Sequence, residues 1–288
     1  MPAQPSPKKL HVAILGCGFM GTALLSGMLS KVKNTQHDVT FSVTAPSRAS
    51  LERLHRHFDA QRGSVDVITT DNVAAARGAQ VIILGFQPQQ LSQVFSSPEL
   101  IEAVTGKLII SMLAGVSTAE LINKVHNDPE STTPHRIARV IPSIGAQVNE
   151  SATLIASDTN LSADDQDLVA WLFELVGSTQ LVPENLLNTV TAVSAATHAL
   201  AVVAVDAIVD ASVAEGVARP AAQAVAAQCL RSASTLLQGP MTIESLKESM
   251  SVARGITINA LLQLDRGHVR AGISDAVRHA VRYAENMS

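Results

Sequence analysis

The stretch HVAILGCGFMGTALLSG, residues 11–27, joins an apolar run to three closely spaced glycines and then to an Ala- and Leu-rich segment. The apolar run predicts a parallel strand that is covered on both faces, and the segment after the glycines has helical spacing. Gly16, Gly18 and Gly21 therefore occupy a predicted strand-to-helix turn. Such a turn fits the diphosphate of a dinucleotide, because glycines allow a tight bend and a close backbone approach. A tight turn in another kind of α/β protein is the alternative.

Hydrophobic patterning along the rest of the chain predicts two domains. Strand and helix patterns alternate from Leu10 to Pro183, which predicts an α/β Rossmann domain with a doubly wound, mostly parallel sheet at residues 10–183. Residues 1–9 form a loose tail in this interpretation. No strand pattern follows Pro183, so residues 184–288 are predicted to form an all-α domain.

The predicted helix at residues 186–217 is apolar on nearly every face. Such a helix needs partners all round it, and a domain of this size can hardly bury it alone. We therefore expect the helical domain to complete its core with a second subunit, as a homodimer that can assemble further. Because His198 interrupts its most apolar part and Asp206 closes that part, we interpret it as a buried helix and not as a membrane span.

Composition excludes several classes of function. The chain has 288 residues and a formal net charge of −4, which gives no electrostatic reason to expect a nucleic-acid partner. The two cysteines, Cys17 and Cys229, fit neither a metal-binding spacing nor a disulfide framework. Their number indicates a reducing compartment, and the first ten residues contain no apolar signal-peptide core. We expect a cytoplasmic protein with no metal.

The end of the second predicted strand discriminates between cofactors. An acidic residue there would bind the ribose 2′-hydroxyl of NAD, but the sequence VTAPSRASLERL has no acid before Glu52. Ser47, Arg48 and Ser50 instead offer hydroxyls and a cation for a 2′-phosphate, which favours NADP. The alternative for Arg48 is a solvated residue in the first turn of a helix.

Several segments together resemble the pyrroline-5-carboxylate reductase family. They are VAILGCGFMGTALLSGML, VIILGFQPQQL, LIISMLAGVS, RVIPSIGAQVNESAT and, above all, ESMSVARGITINALLQLDRGHVRAGISDAVRHA. The resemblance extends from Leu10 to about Glu285. It implies an interlocked dimer that reduces 1-pyrroline-5-carboxylate, a cyclic imine, to L-proline with hydride from NADPH.

The resemblance also implies roles for individual residues. The dinucleotide would lie along the loop, Asn72 would contact its adenosine side, and two short segments would line the nicotinamide. The cofactor-binding residues would then be Gly16, Cys17, Gly18, Phe19, Met20, Gly21, Ser47, Arg48, Asn72, Gln87, Pro88, Ala114 and Gly115.

The substrate would sit between the nicotinamide and the partner's helical domain. The resemblance implies that the backbone N–H groups of Gly255, Ile256 and Thr257 hold the substrate carboxylate. The Thr257 hydroxyl would reach the imine nitrogen, and Ser194 is a further retained residue of the substrate region.

This chain departs from the family pattern around the substrate. Gln87 stands where the family has lysine, and Arg254 stands where it has glycine. Arg254 is a surface residue, a clamp on an anionic substrate or a cofactor contact. His198 is either a hydrogen-bonded core residue or a residue that has taken over proton donation to the substrate.

Three hypotheses for the whole chain follow from these departures. It is a proline-forming enzyme whose sequence has diverged, a reductase for another cyclic imine in a secondary pathway, or a non-catalytic NADP-binding oligomer. A β-hydroxyacid dehydrogenase is an outside alternative. It is disfavoured because that class places a lysine on the interdomain helix, and no lysine occurs between Lys124 and Lys247.

Overall fold

A computed structural model describes residues 9–32, 38–61, 63–125, 135–157 and 160–286. Residues 1–8, the greater part of the predicted tail, lie outside the described residues. The described residues form two compact units. The first contains the residues up to Thr191 together with those from Ala284 onward, and the second is Ala192–Tyr283. The division falls inside a long helix whose first residue is the predicted domain boundary, Glu184.

The first unit contains an eight-stranded sheet with the order β3-β2-β1-β4-β5-β6-β7-β8. All neighbouring strands are parallel except β6 and β7, which are antiparallel. The strands are β1 (Lys9–Leu15), β2 (Asp38–Thr44), β3 (Val65–Thr69), β4 (Val81–Leu84), β5 (Leu108–Ser111), β6 (Ile137–Ile141), β7 (Ser151–Ala156) and β8 (Gly177–Val182). The predicted doubly wound, mostly parallel sheet is confirmed.

Helices cover both faces of this sheet. They are α1 (Phe19–Val32), α2 (Arg48–His57), α3 (Asn72–Gly78), α4 (Leu91–Val94), α5 (Pro98–Val104), α6 (Thr118–Val125) and α7 (Ala163–Glu174). Alternate residues of β1 enter opposite cores, because Val12 and Ile14 belong to one buried cluster and Ala13 and Leu15 to the other. Burial on both faces explains why the buried parts of β1, β4 and β5 are nearly continuous apolar runs and not alternating ones.

The strand order places a switch point between β1 and β4. From β1 the chain moves outward to β2 and β3, and it then returns to the other side of β1. In open α/β sheets, ligands bind in the crevice outside the carboxyl ends of the strands at such a point. The glycine turn after β1 lies at this edge.

The second unit is helical. Its helices are α8 (Glu184–Ala214), whose first turns belong to the first unit, α9 (Arg219–Gln238), α10 (Ile243–Met250), α11 (Ile256–Arg266) and α12 (Val269–Glu285). Much of the apolar surface of α8 is exposed within one subunit, with Val202 at 70% and Val203 at 66%. A single subunit leaves this surface uncovered, in agreement with the expectation that a second subunit completes the core around this helix.

Among the described residues, α8 is the one helix that is long and apolar enough to cross a membrane by length and composition. Only 17% of its apolar window is buried inside the subunit. The core helix of a globular protein can be equally long and apolar. Covered by a second subunit, α8 would be such a core helix.

Candidate functional site

The glycine turn has a geometry that only glycine accommodates. Gly16 has a left-handed φ of 83°, and a Cβ added there would lie 2.6 Å from the Cβ of Phe86. The turn is held to β2, because the Gly16 N–H donates to the Thr44 hydroxyl at 2.9 Å and the Cys17 N–H donates to the Thr44 carbonyl at 2.6 Å. Glycine at position 16 thus brings the ends of β1, β2 and β4 together.

The other two glycines shape the start of α1. A Cβ added to Gly18 would meet nothing within 4 Å, so this part of the backbone faces open space. A Cβ added to Gly21 would lie 3.4 Å from the Cys17 sulfur and 3.5 Å from Ile14, so Gly21 sets how closely α1 packs on β1. The first turn of α1 contains no acidic residue. Its free N–H groups and partial positive charge suit a phosphate.

A cavity of about 550 Å³ opens at this edge of the sheet. Residues from the carboxyl ends of β1, β2, β3, β4 and β5 line it, as the switch-point rule expects. The predicted cofactor residues that line it are Gly16, Gly18, Phe19, Met20, Asn72, Gln87, Pro88 and Ala114. The lining residues that were not predicted are Thr44, Ala45, Pro46, Thr70, Gly85, Phe86, Gln90, Val94 and Met112. Cys17, Gly21, Ser47, Arg48 and Gly115 are not among its lining residues.

Cys17 contributes to this region through its backbone. Its side chain is 1% exposed, and burial raises the pKa of the thiol to about 11. Burial thus disfavours the thiolate, which is the nucleophilic form of cysteine. Among the described residues, no group of three or more His, Cys, Asp or Glu side chains could hold a metal ion.

The segment after β2 begins α2 with a serine cap. The Ser47 hydroxyl accepts from the Ser50 N–H at 3.2 Å, and it donates to the Ser50 hydroxyl at 3.0 Å. The Arg48 side chain is 93% exposed and pairs with Glu52 one turn later, at 3.1 Å. This geometry is that of a solvated first-turn arginine, and it leaves most of the guanidinium donors available to a ligand.

Arg53 is a residue that the sequence analysis missed. Its guanidinium donates to the Cys17 carbonyl at 3.1 Å and to the Thr22 hydroxyl at 3.2 Å. It therefore places a positive charge directly beside the glycine turn. Its helical spacing could have indicated this role. Arg53 follows Ser50 by three residues, so the two share one side of α2.

Two further segments hold the remaining rim of the cavity. Asp71 caps α3 by accepting from the Val73 and Ala74 N–H groups at 2.9 and 3.0 Å, and this cap fixes Asn72 at the first helical position. The Gln90 side chain accepts from the Gln87 N–H at 3.0 Å and closes a short 3₁₀ turn that begins at Pro88.

The loop after β5 contains Ala114 and Gly115, and Gly115 has a left-handed φ of 80°. The loop begins at Ser111, whose hydroxyl accepts from the Leu113 N–H at 3.3 Å. It ends at Thr118, the first residue of α6, whose N–H donates to the Glu184 carboxylate at 2.8 Å. Hydrogen bonds thus hold the loop at both ends.

The predicted substrate residues all belong to the second unit. Ser194 and His198 lie one turn apart on α8, and the ring Nδ1 of His198 donates to the Ser194 carbonyl at 2.9 Å. The ring is exposed within one subunit, so it is not buried in that subunit's own core.

The other four substrate residues lie at the start of α11, two just before the helix and two in its first turn. Gly255 is the N-cap of α11, and a Cβ there would lie 2.6 Å from the Val252 side chain. Ile256 is 91% exposed, and Thr257 is half-buried in the first turn. Arg254 is exposed with a left-handed φ of 59°, a conformation that glycine adopts without cost. The chain thus retains a glycine-like backbone with a cationic side chain attached.

The fold and the glycine-lined cavity define a dinucleotide-binding oxidoreductase with a helical second unit. Residues 11–115 match the family model described as "NADP oxidoreductase coenzyme F420-dependent". Residues 184–287 match the model "Pyrroline-5-carboxylate reductase dimerisation".

Curated relatives carry the enzyme name of the second model. The chain is 30% identical to the pyrroline-5-carboxylate reductase of Lophium arboricola, over 97% of this chain and 93% of that protein. It is 31% identical to the enzyme of the same name from Neurospora crassa, over 97% and 93%.

Solved structures support the fold. The pyrroline-5-carboxylate reductase of Coxiella burnetii has a TM-score of 0.81 at 22% identity and covers 97% of this chain and 98% of its own. The Plasmodium falciparum pyrroline carboxylate reductase, solved with NADP bound, has a TM-score of 0.78 at 20% identity and covers 96% and 98%. The chain belongs to the pyrroline-5-carboxylate reductase family. It is an oxidoreductase that binds NAD(P), acts on C=N bonds and forms a homo-oligomer through its dimerisation domain.

Two alanine substitutions test the assignment of the glycine turn. In Gly18→Ala the added methyl group meets open space, so the free energy of unfolding of the cofactor-free protein should change by less than about 1 kcal/mol. NADPH affinity should fall, because the diphosphate approaches this backbone. Gly16→Ala should lower the free energy of unfolding by at least about 1–2 kcal/mol, from its left-handed backbone alone.

Urea unfolding and fluorescence titration with NADPH measure the two effects separately. A Gly18→Ala protein that binds NADPH like the wild type would show that the diphosphate lies elsewhere.

Proposed function

We propose that the protein is an NADPH-dependent reductase that transfers hydride to the C=N bond of a cyclic imine. The substrate is 1-pyrroline-5-carboxylate, which is reduced to L-proline, or a closely related cyclic imino acid. The observation that carries the proposal is the glycine turn that opens on a cavity at the switch point of the sheet. The names of relatives that match nearly the whole chain supply the reaction.

The described residues fit a dinucleotide. Gly18 and the N-terminus of α1 would hold the diphosphate, Asn72 the adenosine side, and Gln87-Pro88 with Ala114-Gly115 the nicotinamide. Bound NADPH supplies the hydride, and the protein supplies position and electrostatics. Ser47, Ser50 and Arg48 would hold the 2′-phosphate, with Arg53 as a second cation. No acidic residue stands at the end of β2 to favour NAD.

The substrate would be held by the N-terminus of α11. The N–H groups of Gly255, Ile256 and Thr257 would bind its carboxylate, as a helix N-terminus binds anions. The Thr257 hydroxyl would orient the imine nitrogen. A cyclic imine is readily protonated, so a hydroxyl donor suffices and a strong general acid is not essential.

The second subunit would cover α8. Its exposed valines, Val202 and Val203 among them, offer an apolar surface that one subunit leaves open. A homodimer is the simplest assembly that covers it. The free thiols of Cys17 and Cys229 fit a reducing compartment, so we place the enzyme in the cytoplasm.

A different cyclic imine is the second candidate substrate. Arg254 keeps a left-handed φ of 59° where the resemblance places a glycine. Non-glycine residues in such conformations cost free energy and cluster at functional sites. An added guanidinium beside the carboxylate site favours an anionic substrate that differs from the family's usual one.

The direct test is an assay of the purified protein with NADPH against five- and six-membered cyclic imines, each with and without a carboxylate. We expect the fastest loss of the reduced nicotinamide's absorbance with 1-pyrroline-5-carboxylate. Faster turnover of another imine would select the second candidate. Loss of absorbance with none of them would contradict the proposal and leave a non-catalytic NADP-binding oligomer.

Arg48→Ala tests the cofactor preference. The substitution should weaken NADPH binding by about tenfold, which corresponds to about 1.4 kcal/mol, and should change NADH binding much less. Arg56→Ala is the matched control, because Arg56 is an exposed residue of the same helix and its loss changes the net charge equally. Equal weakening of NADPH and NADH by Arg48→Ala would show that Arg48 does not contact the 2′-phosphate.

Thr257→Val tests the proposed chemistry. A lost hydrogen bond to a charged group is worth about 1.5–3 kcal/mol, so turnover should fall by roughly tenfold to a hundredfold. NADPH affinity should barely change. Wild-type turnover of Thr257→Val on every imine in the panel would overturn this role.

His198→Ala separates the two interpretations of His198. If His198 donates the proton, its loss should lower turnover more than the loss of the Thr257 hydroxyl does, and the pH profile of turnover should change. If it is a packing residue, the variant should lose thermal stability and keep the wild-type pH profile.

A further inference from the structure

Arg139 is a buried cation on a central strand. It lies on β6, is 3% exposed, and pairs in register with the equally buried Ser111 of β5. Its Nη1 donates to the Glu184 carboxylate at 2.9 Å. Its Nε and Nη2 atoms are buried and have no hydrogen-bond partner within the described part of the chain.

Stability alone does not account for this arginine. Burying a guanidinium is costly unless its donors are satisfied, and apolar residues often replace buried ion pairs with no loss of stability. Two unsatisfied donor atoms, Nε and Nη2, add to the cost. Each such group in a native structure calls for an explanation.

Glu184 connects this arginine to the loop after β5. One of its carboxylate oxygens accepts from both Arg139 Nη1 and the N–H of Thr118, at 2.9 and 2.8 Å. Burial raises the pKa of Glu184, but the hydrogen bonds from the Thr118 N–H and the Arg139 guanidinium outweigh it, so its pKa lies below the ordinary value. The carboxylate therefore stays charged at neutral pH and stabilises the N-terminus of α6.

These contacts form a closed circuit around the loop. The loop leaves β5 at Ser111 and enters α6 at Thr118. Thr118 is linked through Glu184 to Arg139, and Arg139 lies beside Ser111 in the sheet. Met112 and Ala114, between the two ends, line the cavity. The circuit therefore fixes where the loop begins and ends beside the cavity.

We propose that Arg139 is a positioning residue for hydride transfer, because it holds the loop that contains Ala114 and Gly115 against the nicotinamide. The inference rests on the proposed function for the identity of the group that the loop contacts. Arg139 touches neither cofactor nor substrate in this account, and it acts through Glu184 and Thr118. Because a misplacement of about 1 Å can cost on the order of 100-fold in rate, a small loosening of this loop should be measurable.

A second arginine–carboxylate pair on the same segment supplies a matched control. Arg136 lies just before β6, and its Nε donates to the buried Asp165 at 2.9 Å while its Nη1 donates to the Gly106 carbonyl at 3.1 Å. Gly106 precedes β5, so this pair lies at the amino ends of the strands, opposite the cavity. Substitutions there should affect stability without reaching the loop.

The test compares Arg139→Lys and Glu184→Gln with Arg136→Lys, each in the full-length oligomer. Hydrogen–deuterium exchange of the cofactor-free protein should be faster at residues 112–121 in the two circuit variants and unchanged there in Arg136→Lys. With NADPH and the best imine, the circuit variants should lose roughly tenfold in kcat while the Kd for NADPH changes less than twofold. Arg136→Lys should keep the wild-type kcat even where its melting temperature falls equally.

Wild-type exchange at residues 112–121 in Arg139→Lys would overturn the inference, and so would equal acceleration there in Arg136→Lys. If Arg139→Lys does not fold, Glu184→Gln is compared with Arg136→Lys in its place, since glutamine keeps the shape of the glutamate side chain. The exchange measurement needs no substrate. If the wild type reduces no cyclic imine, the proposed function fails while the exchange result still decides whether Arg139 holds the loop.

Discussion

At Gly16 the backbone of β1 turns left-handed so close to Phe86 that a Cβ would lie 2.6 Å from the Cβ of that residue. Gly16 and Cys17 are held to Thr44 at the end of β2, while Phe86 follows the end of β4. Three strands therefore converge at one residue that has no side chain. The convergence aims the N-terminus of α1 into the crevice between β1 and β4, and the free N–H groups there are the feature that a diphosphate recognises. The rest of the candidate cofactor site is arranged around this turn.

The helical unit follows a different constraint. The sheet of the first unit buries its apolar residues within one chain, whereas much of the apolar surface of α8 is exposed within one chain. Removal of apolar surface from water is the dominant favourable term in association, so this surface is a reason to dimerise. In this account the same helix carries Ser194 and His198. The proposed substrate role of these two residues would link formation of the substrate site to formation of the oligomer.

The sequence predicted the parts of the fold that depend on local pattern. Buried parallel strands such as β4 and β5 are unbroken apolar runs, and glycine spacing marked the turn after β1. Helices α4 and α5 were not predicted, because Pro88, Pro98 and several serines interrupt any helical period between them.

Contacts between elements distant in sequence were harder to foresee. Arg53 reaches the glycine turn only because α2 packs beside α1, and a single arginine within an apolar strand gives no spacing signal that would pair Arg139 with Glu184. The exposure of α8 likewise depends on how much apolar surface one subunit can cover. The spacing of apolar residues along a helix does not determine that amount.

Transfer of deuterium tests the central claim most directly. The purified enzyme would be incubated with NADPH that carries deuterium at the transferable position of the nicotinamide and with 1-pyrroline-5-carboxylate, and the product would be analysed by mass spectrometry and NMR. The account predicts proline that carries one deuterium on the ring carbon of the former C=N bond, since the cofactor delivers its hydride there. Unlabelled proline, or a labelled product in which the C=N bond is intact, would contradict it.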